Sequence, residues 1–210
     1  MNKLLIATTN PGKLAELRRF LADVPIELVS LRDVGITDFP QETGATFEEN
    51  AILKASYYAK ESNLPTLADD GGFEIDALGG EPGVKSHRWV DKTRESSDDE
   101  LIAYTIERMR HVPEGERSAQ LRLVLALVLP DGQVHTAEAS VRGVVPLIPT
   151  GNLSEGFPFR SLLFLPEINK YYNHDELSDA ENDLYNHRKR ALEQLKPIIR
   201  EQLTQNKQLV

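Results

Sequence analysis

Leu4-Leu5-Ile6-Ala7-Thr8-Thr9-Asn10-Pro11-Gly12-Lys13 carries an apolar run directly into the start of an amphipathic helical pattern. The spacing predicts a strand over Lys3–Thr8 and a helix over Pro11–Ala22. Asn10 suits the N-cap, and Pro11 suits the first helical position because its missing N–H costs nothing there. The positive end of the helix and its free N–H groups would face out of the turn beside Lys13, with the hydroxyls of Thr8 and Thr9 on the approach. A strand-to-helix joint of this kind can hold phosphate groups.

Working outward, a second strand is expected over Ile26–Ser30, then a loop rich in Gly, Pro and acidic residues over Leu31–Ala45. Thr46 and Glu49 form a capping-box pair, and Phe47, Ala51, Ala55 and Tyr58 keep helical spacing to about Asn63. A short buried strand, Thr66–Ala68, runs into Asp69-Asp70-Gly71-Gly72, and Phe73–Asp76 alternates like a further strand before the turn-rich Gly79–Gly83. A helix is predicted over Asp98–Arg110, and two long strands, Ser118–Leu129 and Gln133–Ile148, are joined by Pro130-Asp131-Gly132. An aromatic segment (Gly151–Phe164), a polar stretch, and a helix over His187–Gln205 with Pro197 inside it complete the chain. The residues after it, to Val210, are polar and expected to fray. The order implies an α/β fold with a mixed sheet, a single domain over 1–210, with residues 112–165 around the hairpin as a second lobe.

Composition narrows the ligand. The 210 residues carry a net charge of −9, which disfavours a nucleic-acid polymer, because that partner demands a basic stripe. An acidic protein that binds phosphates needs local lysines and a divalent metal. The absence of cysteine excludes disulfides, thiolate metal sites and cysteine nucleophiles. Asn10-Pro11 breaks the N-terminal apolar run too early for a signal peptide, and no stretch approaches the ~20 apolar residues of a membrane span. A cytoplasmic location with no membrane partner is the expectation.

Five polar groups carry chemistry. Asn10 and Lys13 fit a phosphate cradle, or simply a capped helix with a solvent lysine. Glu42-Thr43-Gly44 precedes the helix on which Asn50 and Lys54, four apart, share a face; the plain alternative is a lysine stem packed with its head in water. Asp69 and Asp70 place two carboxylates directly after a strand, followed by glycines that let phosphate oxygens approach the backbone. Such a pair suits Mg²⁺ shared with a substrate's phosphates better than it suits a turn. Pro82–Trp89 gathers Lys85, His87 and Arg88 beside the single tryptophan, as either a ligand loop or a basic surface loop. Phe157-Pro158-Phe159-Arg160, with Lys170 and His187-Arg188, offers stacking faces and donors for a base; core packing of both phenylalanines is the alternative. The combined inventory matches a nucleoside triphosphate with Mg²⁺. A P-loop ATPase is disfavoured, since Asn10–Lys13 lacks the longer glycine loop and the hydroxyl after the lysine.

These strings resemble the inosine triphosphate pyrophosphatases. The matching pieces are Ala7–Lys13, Glu42–Ala51, Lys54-Ala55, Leu67–Glu74, Gly80–Val84, Ser86, Arg88 and His187-Arg188, in order over nearly the whole chain. The resemblance implies an elongated two-lobed α/β fold with the active site in a central cleft, usually a homodimer. It implies Mg²⁺-dependent hydrolysis of non-canonical purine triphosphates (ITP, dITP, XTP) to a nucleoside monophosphate and pyrophosphate. By the same resemblance Thr8, Thr9, Asn10, Lys13 and Gly71 would cradle the phosphates, with Lys13 and Lys54 neutralising their charge. Glu42 and Asp70 would hold the metal with Asp69 in support, and Asp70 would accept the proton of the attacking water. His187 and Arg188 would face the base beside Phe157, Arg160 and Lys170. Two departures stand out. Gly71 occupies the place of a usual serine, and the usual Phe-Gly-Tyr-Asp-Pro reads Phe157-Pro158-Phe159-Arg160-Ser161. Arg160 therefore puts a donor where the family has an acceptor, which opens two alternatives: altered or relaxed base choice, or a nucleotide-binding sensor without catalysis.

Overall fold

The computed structural model describes residues 2–173 and 176–204. Seven strands form one mixed sheet in the order β2-β1-β3-β4-β5-β6-β7. They are β1 (Lys3–Ile6), β2 (Glu27–Ser30), β3 (Thr66–Ile75), β4 (Ser118–Val128), β5 (Val134–Val144), β6 (Phe164–Leu165) and β7 (Lys170–Tyr171). β1 pairs parallel with β2 (Leu4 opposite Leu28) and with β3 (Leu5 opposite Thr66), whereas β6 pairs antiparallel with both β5 and β7. The helices are α1 (Pro11–Phe20), α2 (Phe47–Ser62), α3 (Asp98–Arg108), α4 (Asp179–Tyr185) and α5 (His187–Thr204). Among the described residues no helix is long and apolar enough to cross a membrane.

The chain divides into two compact units. The first comprises Met1–Asp70, Leu123–Ala139 and Arg188–Val210; the second comprises Gly71–Arg122 and Ser140–His187. The hairpin strands β4 and β5 each contribute to both units, so residues 112–165 do not segregate into one of them. Each unit has its own core. In the first, Leu4, Ile6 and Leu67 of the parallel strands pack with Leu17 and Phe20 of α1 and Leu192, Leu195 and Ile199 of α5. In the second, Phe73 and Ile75 pack with Leu101, Val141, Leu162 and Tyr172.

Local chemistry accounts for the elements. Asn10 Oδ1 accepts from the N–H groups of Gly12 and Lys13, and Thr46 accepts from Glu49 N–H. Glu49 does not close the expected capping box on Thr46; its carboxylate accepts instead from Ala45 N–H at 2.6 Å, one residue earlier. Complete capping boxes occur at α3 (Ser97 with Glu100) and at α4 (Ser178 with Glu181). The latter helix lies in the stretch read above only as polar. α5 runs through Pro197 without ending; Gln205 and the tail to Val210 lie outside the described residues.

The main correction concerns β3. Asp69-Asp70-Gly71-Gly72 does not terminate a short strand; Thr66–Ile75 is one continuous ten-residue strand through all four residues. The glycines, expected to follow the strand, are themselves extended ladder positions. Side chains alternate along a strand, so Asp69 and Asp70 project to opposite faces of the sheet.

A candidate active site around Asp69 and Asp70

The site in the first unit follows from that alternation. On one face, Asp69 lies 3.0 Å from Lys13 Nζ of α1 and 3.1 Å from the Arg188 guanidinium at the start of α5. Arg188 also reaches Glu16 at 2.5 Å, one helical turn beyond Lys13. Glu16, Asp69 and Arg188 are all buried. Burial alone would push the Asp69 carboxyl up, but the positive charges of Lys13, Arg188 and Lys54 outweigh it and hold the group far below the usual range. Asp69 is therefore a fixed anion.

On the other face, Asp70 lies 2.7 Å from Lys54 Nζ, and Glu42 lies 3.0 Å from the same nitrogen. The loop that presents Glu42 is pinned to α2 where Gly44 N–H donates to the buried Asn50 Oδ1 at 2.7 Å. Burial raises the Asp70 carboxyl above its ordinary value despite Lys54, and Glu42 adds to the rise. For Lys54, burial favours the neutral amine, but Asp70, Glu42 and Asp69 together hold the proton more tightly than usual. Two neighbouring carboxylates thus differ: one is locked in its charged form, the other is shifted toward accepting a proton.

The helix N-terminus differs from the sequence expectation. Pro11 has no N–H, Asn10 Oδ1 takes the N–H groups of Gly12 and Lys13, and Asn10 carbonyl takes that of Leu14. The first turn of α1 is self-satisfied, which leaves the Lys13 ammonium and the helix dipole as its contribution to anion binding. Thr8 Oγ1 accepts from Asn10 N–H, and Thr9 is exposed. Gly71 belongs to β3 in the second unit, half-buried.

The donor set fits a magnesium ion in one respect and not in another. Glu42 and Asp70 both lie against Lys54 Nζ, and two such hard oxygen donors are of the type that suits an ion completed by substrate phosphates and water. Asp69, expected beside them, is turned to the opposite face and engaged with two cations. Among the described residues no group of three or more His, Asp or Glu is arranged around a metal position.

The residues expected at the base fall mostly in the second unit. Phe159 is core, stacked on Phe73 with centroids 5.2 Å apart, while Phe157 stays half-buried. The buried Arg160 guanidinium lies 4.0 Å from the Phe157 ring centroid and 5.4 Å from that of Tyr172. Tyr172 OH is 2.8 Å from Nδ1 of the buried His187. Lys170 is paired with Glu181 at 2.7 Å, which ties β7 to α4. Arg188, expected at the base, is engaged with Asp69 and Glu16 in the first unit. Glu16 and Tyr172 were missed by sequence reasoning. Glu16 carried a signal, since it stands three residues after Lys13 on the same helical face; Tyr172 carried none.

Comparison with known proteins settles the lineage, because residues 4–198 match the Ham1 family. The chain belongs to the Ham1 family. Among its relatives, a Thermus thermophilus dITP/XTP pyrophosphatase is 44% identical over 193 residues, spanning 92% of this chain and 89% of the relative. A Streptomyces avermitilis dITP/XTP pyrophosphatase is 37% identical over 97% of this chain and 100% of the relative. The solved HAM1 protein of Coxiella burnetii superposes with a TM-score of 0.81 at 32% identity, covering 96% of this chain and 100% of that one. A Mycobacterium abscessus structure described as a nucleoside-triphosphatase and dITP/XTP pyrophosphatase gives 0.72 at 36% identity, over 93% and 99% of the two chains.

Proposed function

We propose that this Ham1 protein is a Mg²⁺-dependent nucleoside-triphosphate pyrophosphatase, cleaving non-canonical purine triphosphates such as ITP, dITP and XTP to the monophosphate and pyrophosphate. The reading includes a homodimer, as the family resemblance implies, in the cytoplasm. The observation that carries it is the division of labour across β3, with Asp69 bound to Lys13 on one face and Asp70 with Glu42 bound to Lys54 on the other. The names of the relatives support the choice of base.

Phosphoryl transfer asks chiefly for positioning and charge neutralisation. Lys13, held in place by Asp69, and Lys54, held by Asp70 and Glu42, supply two ammonium groups for a triphosphate tail. Thr8, Thr9 and Asn10 flank Lys13. Glu42 and Asp70 would hold Mg²⁺, which when bound supplies further positive charge against the phosphate oxygens. Asp70 takes the proton of the attacking water; the water oxygen forms a new P–O bond, and the α,β-bridging P–O bond breaks to release pyrophosphate. A carboxyl raised by burial is suited to that task. Asp69 serves as a positioning anion. Phe157, Arg160, Lys170 and His187 are the groups proposed for the base.

A panel of ITP, dITP, XTP, dUTP and the four standard triphosphates tests the reading with a pyrophosphate-specific assay. Pyrophosphate is expected from the first three at rates well above the standard set. Tight nucleotide binding with Mg²⁺ and no pyrophosphate would instead establish a sensor.

A further inference from the structure

We infer that Asn173 is a positioning residue for the nucleoside half of the substrate, its buried amide fastening the irregular segment that leads into Phe157. The role rests on the base assignment proposed for Phe157 and deepens it. Residues 145–157 form no strand or helix, and Asn152 and Leu153 are exposed, so packing does not hold this stretch in place. Asn173, 1% exposed, uses both ends of its amide on it. Nδ2 donates to the Asn152 carbonyl at 2.6 Å, and Oδ1 accepts from the Ser154 hydroxyl at 2.9 Å. The backbone of Asn173 is fixed in turn: its N–H donates to the Tyr171 carbonyl, and its carbonyl accepts from the N–H groups of Glu176 and Leu177.

The grip passes to Phe157 through the main chain. Ser154, held by its hydroxyl, takes the Phe157 N–H on its carbonyl at 2.9 Å, and the Phe157 carbonyl takes the Arg160 N–H at 3.0 Å. A second anchor acts one residue earlier, where Gly156 N–H donates to Asp98 at 2.9 Å at the start of α3. Without the amide, the Asn152 carbonyl and the Ser154 hydroxyl lose their buried partner, and the segment spends part of its time away from the binding conformation. Apparent affinity falls with the fraction of molecules that stay competent. Ligands that use the base pay this factor. A bare triphosphate chain, which meets Lys13 and Lys54 in the reading above, does not.

Titration calorimetry with two probes tests this on the full chain: inosine monophosphate, which has a base, and inorganic tripolyphosphate with Mg²⁺, which has none. Asn173→Ala should weaken the nucleotide roughly five- to fiftyfold and leave tripolyphosphate within about twofold of the parent. Ser154→Ala, which removes one of the two amide contacts at a half-buried site, should give a smaller loss of the same kind. The double variant should bind the nucleotide no worse than Asn173→Ala, because both changes break one path. Melting curves report folding, and Ser154→Ala carries the test if Asn173→Ala does not fold. Unchanged nucleotide affinity in a folded variant, equal losses for both probes, additive losses in the double variant, or no nucleotide binding by the parent would overturn the inference. Phe157→Ala separates the two levels. If it leaves nucleotide affinity intact, the base assignment falls and the role of Asn173 with it; if it weakens the nucleotide while Asn173→Ala and Ser154→Ala do not, only the role of Asn173 falls.

Discussion

Asp69→Asn and Asp70→Asn are the same chemical change one residue apart, and the two faces of β3 predict different results. Asp69 has a side chain 2% exposed and bridges Lys13 at 3.0 Å and Arg188 at 3.1 Å. Removing one member of a buried ion pair costs about 3–5 kcal/mol because the other charge loses its compensation. Two features place this case at the low end. Arg188 keeps Glu16 at 2.5 Å, and Lys13, 19% exposed, can turn toward water. The expected loss is about 3 kcal/mol, which for a chain of this size lowers Tm by roughly 6–12 °C. Asp70→Asn should cost at most about 1 kcal/mol, since an amide escapes the burial penalty on the charge and Lys54 keeps Glu42 at 3.0 Å. Urea unfolding followed by circular dichroism, with calorimetry for Tm, measures both. Equal losses for the two variants, or an Asp69→Asn change within about 0.5 kcal/mol of the parent, would refute the assignment of Asp69 as a fixed anion.

Gly143→Ala should destabilise by about 1–3 kcal/mol, because a Cβ there would sit 2.3 Å from the Phe164 carbonyl oxygen across the β5–β6 pair. Gly115→Ala, with nothing within 4 Å, should be near neutral, and chemical denaturation compares them. Glu181 is held at about 2 by its hydrogen bonds to Lys170 and to the Ser178 backbone, below the ordinary 4.5. A lowered folded value means that its stabilisation is fully present above pH 4.5 and is lost as pH falls toward 2, so Glu181→Gln should flatten the acid limb of the Tm–pH curve in that window. EDTA should abolish pyrophosphate release and added Mg²⁺ should restore it, with Glu42→Gln raising the Mg²⁺ concentration needed for half-maximal rate; unaltered release in EDTA would remove the metal from the account.

The legible parts of this fold were those written in neighbouring residues. Asn10-Pro11 and Thr46 announce their helices within three positions, and both caps form. Ser178 and Glu181 carried the same signal for α4 but were obscured by the polar residues around them. β3 reads as two short strands because acids and glycines usually interrupt a strand, whereas here Asp69–Gly72 continue one whose pairing partners come from distant parts of the chain. Lys13, Lys54, Asp69 and Asp70 stand out from residue type and spacing, and Glu42 through the family resemblance. Their pairing does not. Whether Asp69 or Asp70 faces Arg188 depends on strand alternation and on a helix 119 positions later, which no local pattern encodes. The same holds for Arg160, whose aromatic neighbour Tyr172 lies beyond the reach of any motif.

The most direct test of the account compares Asp70→Asn with the parent under saturating ITP and Mg²⁺, measuring pyrophosphate release and nucleotide affinity on the same samples. Loss of the proton acceptor should slow release by roughly 10²–10⁴-fold while the nucleotide still binds. Release at the parent rate would contradict the claim that the carboxylate facing Lys54 drives the cleavage.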